Sequence, residues 1–430
     1  MSSLSKFGSI CEGTDGVFYL GHASILIQIN GKRILMDPIV LSEPYSGSWA
    51  FFPPQYVDES LFDVDAVIVS HVHQDHFDTD FLKRLNPNCK ILIVDGRETF
   101  NKRLESLKLK NIVFLQPGVV HEVFDGVFIF GLLHETNGVD ASALVFTNEF
   151  SVYHGNDNYC SAQIIEQFHE VVHDIDVACL PYAYIHWYPF LLVEELQTID
   201  RIRETNELIE LYMDHCIASA RILGAKVVIP FGANLVLDNG DATSKMNLAV
   251  KTPLEFLEYA SDKNPDLEQV IQPLNAGDHV VSDVKGIYVH REIVESCEQY
   301  RARMSQFLEN RINDRKISSV DLVSIEKFTN KLSIRISDLD SEINFEIWIE
   351  LNFDSGTQYL LINPAMKIVK IKPDLKSENP FYCFKLSPIA SCLWVSGASF
   401  EAIIGTRRFE LMRKPDKYEP EVLKFINTML

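Results

Sequence analysis

Basic runs are missing from this sequence. Across 430 residues the formal net charge is −21, and no basic stretch is long enough to neutralise a run of phosphates, which argues against nucleic acid as a partner. No apolar segment of signal-peptide type follows Met1-Ser2-Ser3-Leu4. The most apolar stretch, 177–193, is broken by Pro181, His186 and Pro189 and is too short to span a bilayer. The eight cysteines form no Cys-x-x-Cys pair, which suits reduced, buried thiols in a reducing compartment. There is also no Cys-x-His pair of the kind that holds a Rieske cluster. Repeats and low-complexity segments are absent. These exclusions point to a cytoplasmic enzyme acting on a small molecule, with no membrane partner, and the length calls for two domains.

What is present is a dense histidine run. His71-Val72-His73-Gln74-Asp75-His76 places four metal-binding side chains in six positions directly after the apolar strand pattern Asp65-Ala66-Val67-Ile68-Val69-Ser70. His71 and His73, two apart, point the same way and suit one ion, while Asp75 and His76 on the following turn suit a second. A dinuclear metal site is the reading. Upstream, Gly21-His22-Ala23-Ser24 opens an alternating segment that turns at Asn30-Gly31, a strong hairpin signal, and whose second strand ends in Asp37-Pro38.

Together these motifs resemble the metallo-β-lactamase superfamily, in the branch that includes L-ascorbate-6-phosphate lactonase and the metallo-β-lactamase-like part of CMP-N-acetylneuraminate hydroxylase. The resemblance covers roughly residues 15–280 by motif order. It implies a four-layered αββα sandwich in which Asp37 braces the metal loop, His134 completes the first ion's ligands, and Asp157 bridges the two ions. It also implies a late Pro-x-His turn, and here the sequence departs: Pro230-Phe231-Gly232-Ala233-Asn234 has Gly232 where the histidine is expected. The second ion is then held by Asp75, His76, Asp157 and water or substrate, more weakly than the first, or is absent. His154 and His186 are assigned to substrate contact or support, and Asn234 joins them as a substrate-binding candidate.

The chain divides near residue 285. A catalytic domain (1–285) has helices expected at 79–84, 96–107, 161–173 and 193–223, with a buried strand at 141–146. A helical, charged connector (286–315) follows. The C-terminal domain (316–430) reads as smaller and α+β: strands at 331–337, 343–351, 359–362 and 367–371, then helix from 380 to 430. It resembles a sterol-carrier-type fold only faintly, and no lipid binding is drawn from that. Gly405-Thr406-Arg407-Arg408 opens the one basic cluster in an acidic chain. Its plain reading is a solvated helix face; its functional reading is that Arg407 and Arg408 reach an anionic substrate group.

Chemistry follows from the metals. One or two divalent ions, zinc first, with iron or manganese as alternatives, supply a metal-bound hydroxide for hydrolysis of a small, anionic metabolite, with Asp75 and Asp157 as the catalytic carboxylates. The second reading is a di-iron or mono-iron oxygenase on the same ligands, which would draw electrons from an external reductase. The third is a binding protein that kept the fold without catalysis.

Overall fold

The computed structural model describes residues 14–94, 104, 107–135, 140–193, 199–238, 246–313, 322–339 and 343–428. Its first sheet grows from the expected hairpin. Asn30 and Gly31 adopt left-handed φ values of 46° and 70°, the geometry that joins two strands without splaying them. Asp15 Oδ1 accepts the Asn30 N–H at 2.8 Å and fixes the turn. From edge to edge the sheet has eight strands: Gly286–His290, His279–Asp283, Asp15–Gly21, Ser24–Ile29, Lys32–Met36, Ala66–Val69, Lys90–Ile93 and Ile112–Phe114. A second sheet has six: Val227–Phe231, Val177–Pro181, Ser151–His154, Ala141–Phe146, Val127–Leu133 and Val120–Phe124. The first sheet thus runs on past residue 285, and the connector helix Cys297–Asn313 follows it.

Side-chain alternation explains the layers. In the first sheet Ile25, Ile27 and Ile68 face the second sheet, where they meet Ile129, Val145 and Val177. Their neighbours Leu26 and Val67 point outward onto Phe81 of the helix Thr79–Leu82. On the far side Leu144, Tyr153 and Val228 are covered by the helices Ala162–Val171, Ile199–Leu223 and Pro253–Lys263. Helix, sheet, sheet, helix is the expected αββα sandwich. The helix read at 96–107 lies almost wholly outside the described residues.

The C-terminal domain is α+β, but two of its elements differ from expectation. Residues 331–337 belong to the helix Leu322–Ser337 rather than a strand. Over the longer window Ile325, Phe328, Leu332 and Ile336 are buried at helical spacing, while Ile334 is 67% exposed. Within the stretch read as helix from 380 onward, Phe381–Leu386 and Phe409–Lys414 are strands, with two short helices between them. The first is buried along almost its whole length, so it shows no alternation to distinguish it from a helix segment. They complete a five-stranded sheet ordered Ile368–Lys372, Gly356–Asn363, Glu346–Phe353, Phe381–Leu386, Phe409–Lys414.

The two domains share one apolar core. Ile39, Trp49, Phe51, Trp187 and Leu191 of the first pack with Phe400, Ile403, Phe409 and Leu411 of the second. Backbone bonds from Leu411 N to Leu191 O, 2.7 Å, and from Val193 N to Leu411 O, 2.9 Å, tie the edge strand to the first domain. No helix among the described residues is long and apolar enough to cross a membrane.

Candidate metal centre

The site gathers where strands of both sheets reach their C-terminal ends. Ser70 and His71 follow Ala66–Val69, Asp37 follows Lys32–Met36, His22 follows Asp15–Gly21, and Asp157 follows Ser151–His154. Two groups of donors result. His71, His73 and Asp157 form one, and His22, Asp75 and His76 the other, each with ligand atoms within 4.8 Å of one another. His76 Nε2 lies 3.4 Å from Asp75 Oδ2 and 3.2 Å from Asp157 Oδ2, so Asp157 stands between the groups.

Asp37 orients the centre. Fully buried, it accepts the Ser70 N–H at 2.8 Å and the Ser70 hydroxyl at 2.5 Å, and its Oδ2 is 3.0 Å from His76 Nδ1. Burial opposes its charge, yet the His76 hydrogen bond and field hold its carboxyl below the usual carboxylate range. This contact keeps a proton on His76 Nδ1, so that Nε2 is the ring atom available to a cation. The loop before the site is pinned similarly: Asp78 Oδ2 accepts the N–H groups of Val40, Leu41 and Ser42 at 2.9, 2.6 and 3.0 Å. Gln74 Oε1 takes the Tyr45 N–H at 2.9 Å, and the Tyr45 hydroxyl donates to Asp75 Oδ1 at 3.0 Å.

The residues present fit divalent cations. His76 Nε2 is buried with no partner in hydrogen-bonding geometry and faces two carboxylates. Burial would lower the His76 ring's affinity for a proton, but Asp157 and Asp75 lift it well above the ordinary histidine value. The pocket therefore holds negative charge that a cation answers. His71 is brought down to about 4 by burial and by the neighbouring His76 and His73 rings, and a neutral imidazole is the ligating form.

His22 is the ligand candidate that sequence reasoning missed. It sits at φ 50° on the tight link between the first two strands, where the register shifts, and its Nε2 is 3.4 Å from Asp75 Oδ2. Gly232, on the opposite sheet, has φ 80° and no atom within 4 Å of where a Cβ would stand; its N–H donates to His22 O at 3.3 Å. Gly232 and His22 thus meet across the two sheets. A histidine beside a glycine at the head of a hairpin was the available signal.

Of the other sequence candidates, His134 ends the strand Val127–Leu133, and its ring joins neither donor group. Asp140, whose carbonyl accepts the His134 N–H at 2.8 Å, instead brings Oδ1 to 3.8 Å from His71 Nε2. His154 and Asn234 lie beneath the site and do not line the cleft. His154 Nε2 is 2.9 Å from Ala23 O, and the Tyr19 hydroxyl bridges His22 O at 2.9 Å and Asn234 Oδ1 at 2.6 Å, so both support the His22 turn. Arg408 is buried and reaches Asp238 O at 3.4 Å, away from the cleft. His186 and Arg407 do line it.

That cleft, of about 210 Å³, opens on Asp75 and Asp157 and is walled by Trp49, Tyr159, Tyr184, Tyr212 and Phe231. Comparison with known proteins places this architecture. Residues 16–189 match the family model described as a beta-lactamase superfamily domain. A protein of Mycolicibacterium smegmatis named as a Rieske 2Fe-2S iron-sulfur protein is 30% identical over 222 residues, 49% of this chain and 42% of its own length. A metal-dependent hydrolase of Sulfolobus acidocaldarius is 27% identical over 143 residues, 32% of this chain and 60% of its own. The chain thus spans less than two thirds of either relative. Among solved structures, an isothiocyanate hydrolase from Delia radicum gut bacteria aligns at a TM-score of 0.43 and 18% identity, over 62% of this chain and 97% of that one.

Proposed function

We propose, on the match of residues 16–189 to a beta-lactamase superfamily domain, that this protein is a metal-dependent hydrolase of a small metabolite. His71, His73 and Asp157 hold one divalent cation in this reading, and His22, Asp75 and His76 hold a second. The observation that carries it is the convergence of both donor groups on His76 and Asp157 at the cleft. Imidazole and carboxylate donors suit zinc, manganese or iron. When bound, such cations lower the pKa of a coordinated water toward neutrality and polarise a substrate oxygen.

The chain's own residues set the rest. Burial alone would raise the Asp75 carboxyl, but His76 and His22 hold it well below the carboxylate range, so it is an ionised acceptor at neutral pH. Burial and the Asp75 charge push the Tyr45 phenol well above its ordinary value. Tyr45 therefore remains a donor to Asp75 Oδ1, which leaves Oδ2 facing His22 and His76. Asp75 is placed to orient an attacking water as an ionised hydrogen-bond acceptor, and the aromatic walls restrict bulk water around it.

The test is turnover of lactones, amides and phosphoesters by zinc-loaded protein under nitrogen, followed by mass spectrometry. Product that disappears in Asp75→Asn while the ion at His71, His73 and Asp157 is retained supports the reading. A second reading, an iron oxygenase, is favoured by the M. smegmatis relative named for an iron-sulfur centre. With no Cys-x-His pair in this chain, it would need an external reductase. Oxygen uptake coupled to product by the ferrous protein, with an inert zinc form, would overturn the hydrolase in its favour. Ligand binding without turnover in either metal form would leave a binding protein.

A further inference from the structure

The C-terminal domain enters the cleft through a single turn. Helix Phe400–Gly405 ends there, and Gly405 packs so closely that a Cβ would run into the Tyr45 ring. Gly405 O accepts the Trp49 indole N–H at 2.9 Å, and Thr406 O accepts the Ser48 hydroxyl at 2.7 Å. The next residue, Arg407, is held at φ 57°, a left-handed conformation that a non-glycine residue seldom adopts without a local reason. Its guanidinium stands over the Trp49 ring at 5.7 Å, Nη1 donates to Ile404 O at 3.1 Å, and Nε is buried with no partner.

Arg407 is the one lysine or arginine among the described residues lining the cleft. Asp75, the acidic side chain whose charge it feels, is already in contact with Tyr45, His22 and His76. A desolvated guanidinium with unused donor capacity is stabilised by an oxyanion that accepts from its planar fork. Tyr159, Tyr184 and Tyr212 also line the cleft, and aromatic side chains suit a flat or apolar body.

We propose that the C-terminal domain is the substrate-selecting half of the site: Arg407 grips a carboxylate or phosphate on a small molecule whose aromatic or apolar body lies along Tyr159, Tyr184 and Tyr212. This rests on the reading of the cleft as the hydrolytic centre. The anion anchors the substrate at one end and leaves its scissile bond beside Asp75 and Asp157.

Calorimetric titration of the zinc-loaded full chain with phenyl phosphate, benzoate and benzamide tests it, with zinc content measured alongside. Wild type binds at least one of the two anions better than benzamide, and the arm that responds identifies the oxyanion. Arg407→Met weakens that anion about tenfold or more, the loss typical of a charge-assisted pair, with benzamide binding and zinc content unchanged. Arg407→Gln is expected to do the same, and reads the interaction should the methionine variant not fold. Anion binding undiminished in a folded variant, or no preference for either anion over benzamide, overturns the proposal. A wild-type chain that takes up no zinc removes the hydrolase reading instead, and the anion arms on metal-free protein still report on Arg407.

Discussion

Replacing Asp37 with asparagine changes one atom's chemistry and should cost the second cation most of its affinity. The carboxylate has two acceptor oxygens: Oδ1 takes the Ser70 N–H at 2.8 Å, and Oδ2 takes the Ser70 hydroxyl at 2.5 Å and faces His76 Nδ1 at 3.0 Å. Asparagine has one. If its oxygen stays on the Ser70 N–H, its NH2 faces His76 Nδ1, which must then accept rather than donate. The imidazole proton moves to Nε2 and occupies the lone pair that the cation needs. Loss of such an orienting partner lowers metal affinity about 10–100-fold. The mispaired buried network costs the metal-free fold about 1–3 kcal/mol. Competition for zinc against a chelator reads the first effect, and urea unfolding of metal-free protein reads the second. Wild-type zinc affinity in a folded Asp37→Asn variant would refute the reasoning, because no other group contacts His76 Nδ1 among the described residues.

Gly405→Ala drives a methyl group into the Tyr45 ring and should destabilise the protein by about 1–3 kcal/mol; an unchanged thermal midpoint would mean that the turn is not seated tightly. Tyr45→Phe removes the donor 3.0 Å from Asp75 and should slow turnover about tenfold with zinc content unchanged, whereas loss of zinc would assign Tyr45 to metal retention. Leu332→Ala, at a fully buried position, should cost about 2–5 kcal/mol, and Ile334→Ala, at a position 67% exposed, less than about 0.5 kcal/mol; the reverse order would point to a strand. In metal-free protein, burial would raise Asp157 but His76 brings its carboxyl down to about 2. Its folded pKa thus lies below the unfolded one, its contribution is present above about pH 4, and it is lost as pH falls toward 2. The urea midpoint should fall across that window, and a rise would contradict the assignment.

The sandwich was legible because its signals are local. Asn30-Gly31 specifies its hairpin, and the strand read at 141–146 is Ala141–Phe146. The C-terminal domain was harder. Leu332, Ile334 and Ile336 alternate over a short window, and only the longer series from Ile325 reveals the helix. Phe381–Leu386, a central strand with almost no exposed position, carries no periodicity at all. The site divides the same way. His71 to His76 lie on one loop, so their spacing alone suggests two pairs of ligands. His22 meets Asp75 only after the first sheet forms, and its carbonyl meets the Gly232 N–H only when the two sheets pack. Arg407 faces the cleft because Gly405 and Thr406 dock on Trp49 and Ser48, a contact between residues more than three hundred positions apart.

The pairing of His22 with Asp75 and His76 is most directly tested by counting metal. Plasma mass spectrometry on protein reconstituted with zinc and freed of excess should find two ions per chain in wild type and one in a folded His22→Ala variant, since His71, His73 and Asp157 remain intact. Two ions retained in His22→Ala would contradict the assignment of His22 as a ligand, and a single ion in the wild type would contradict the dinuclear centre itself.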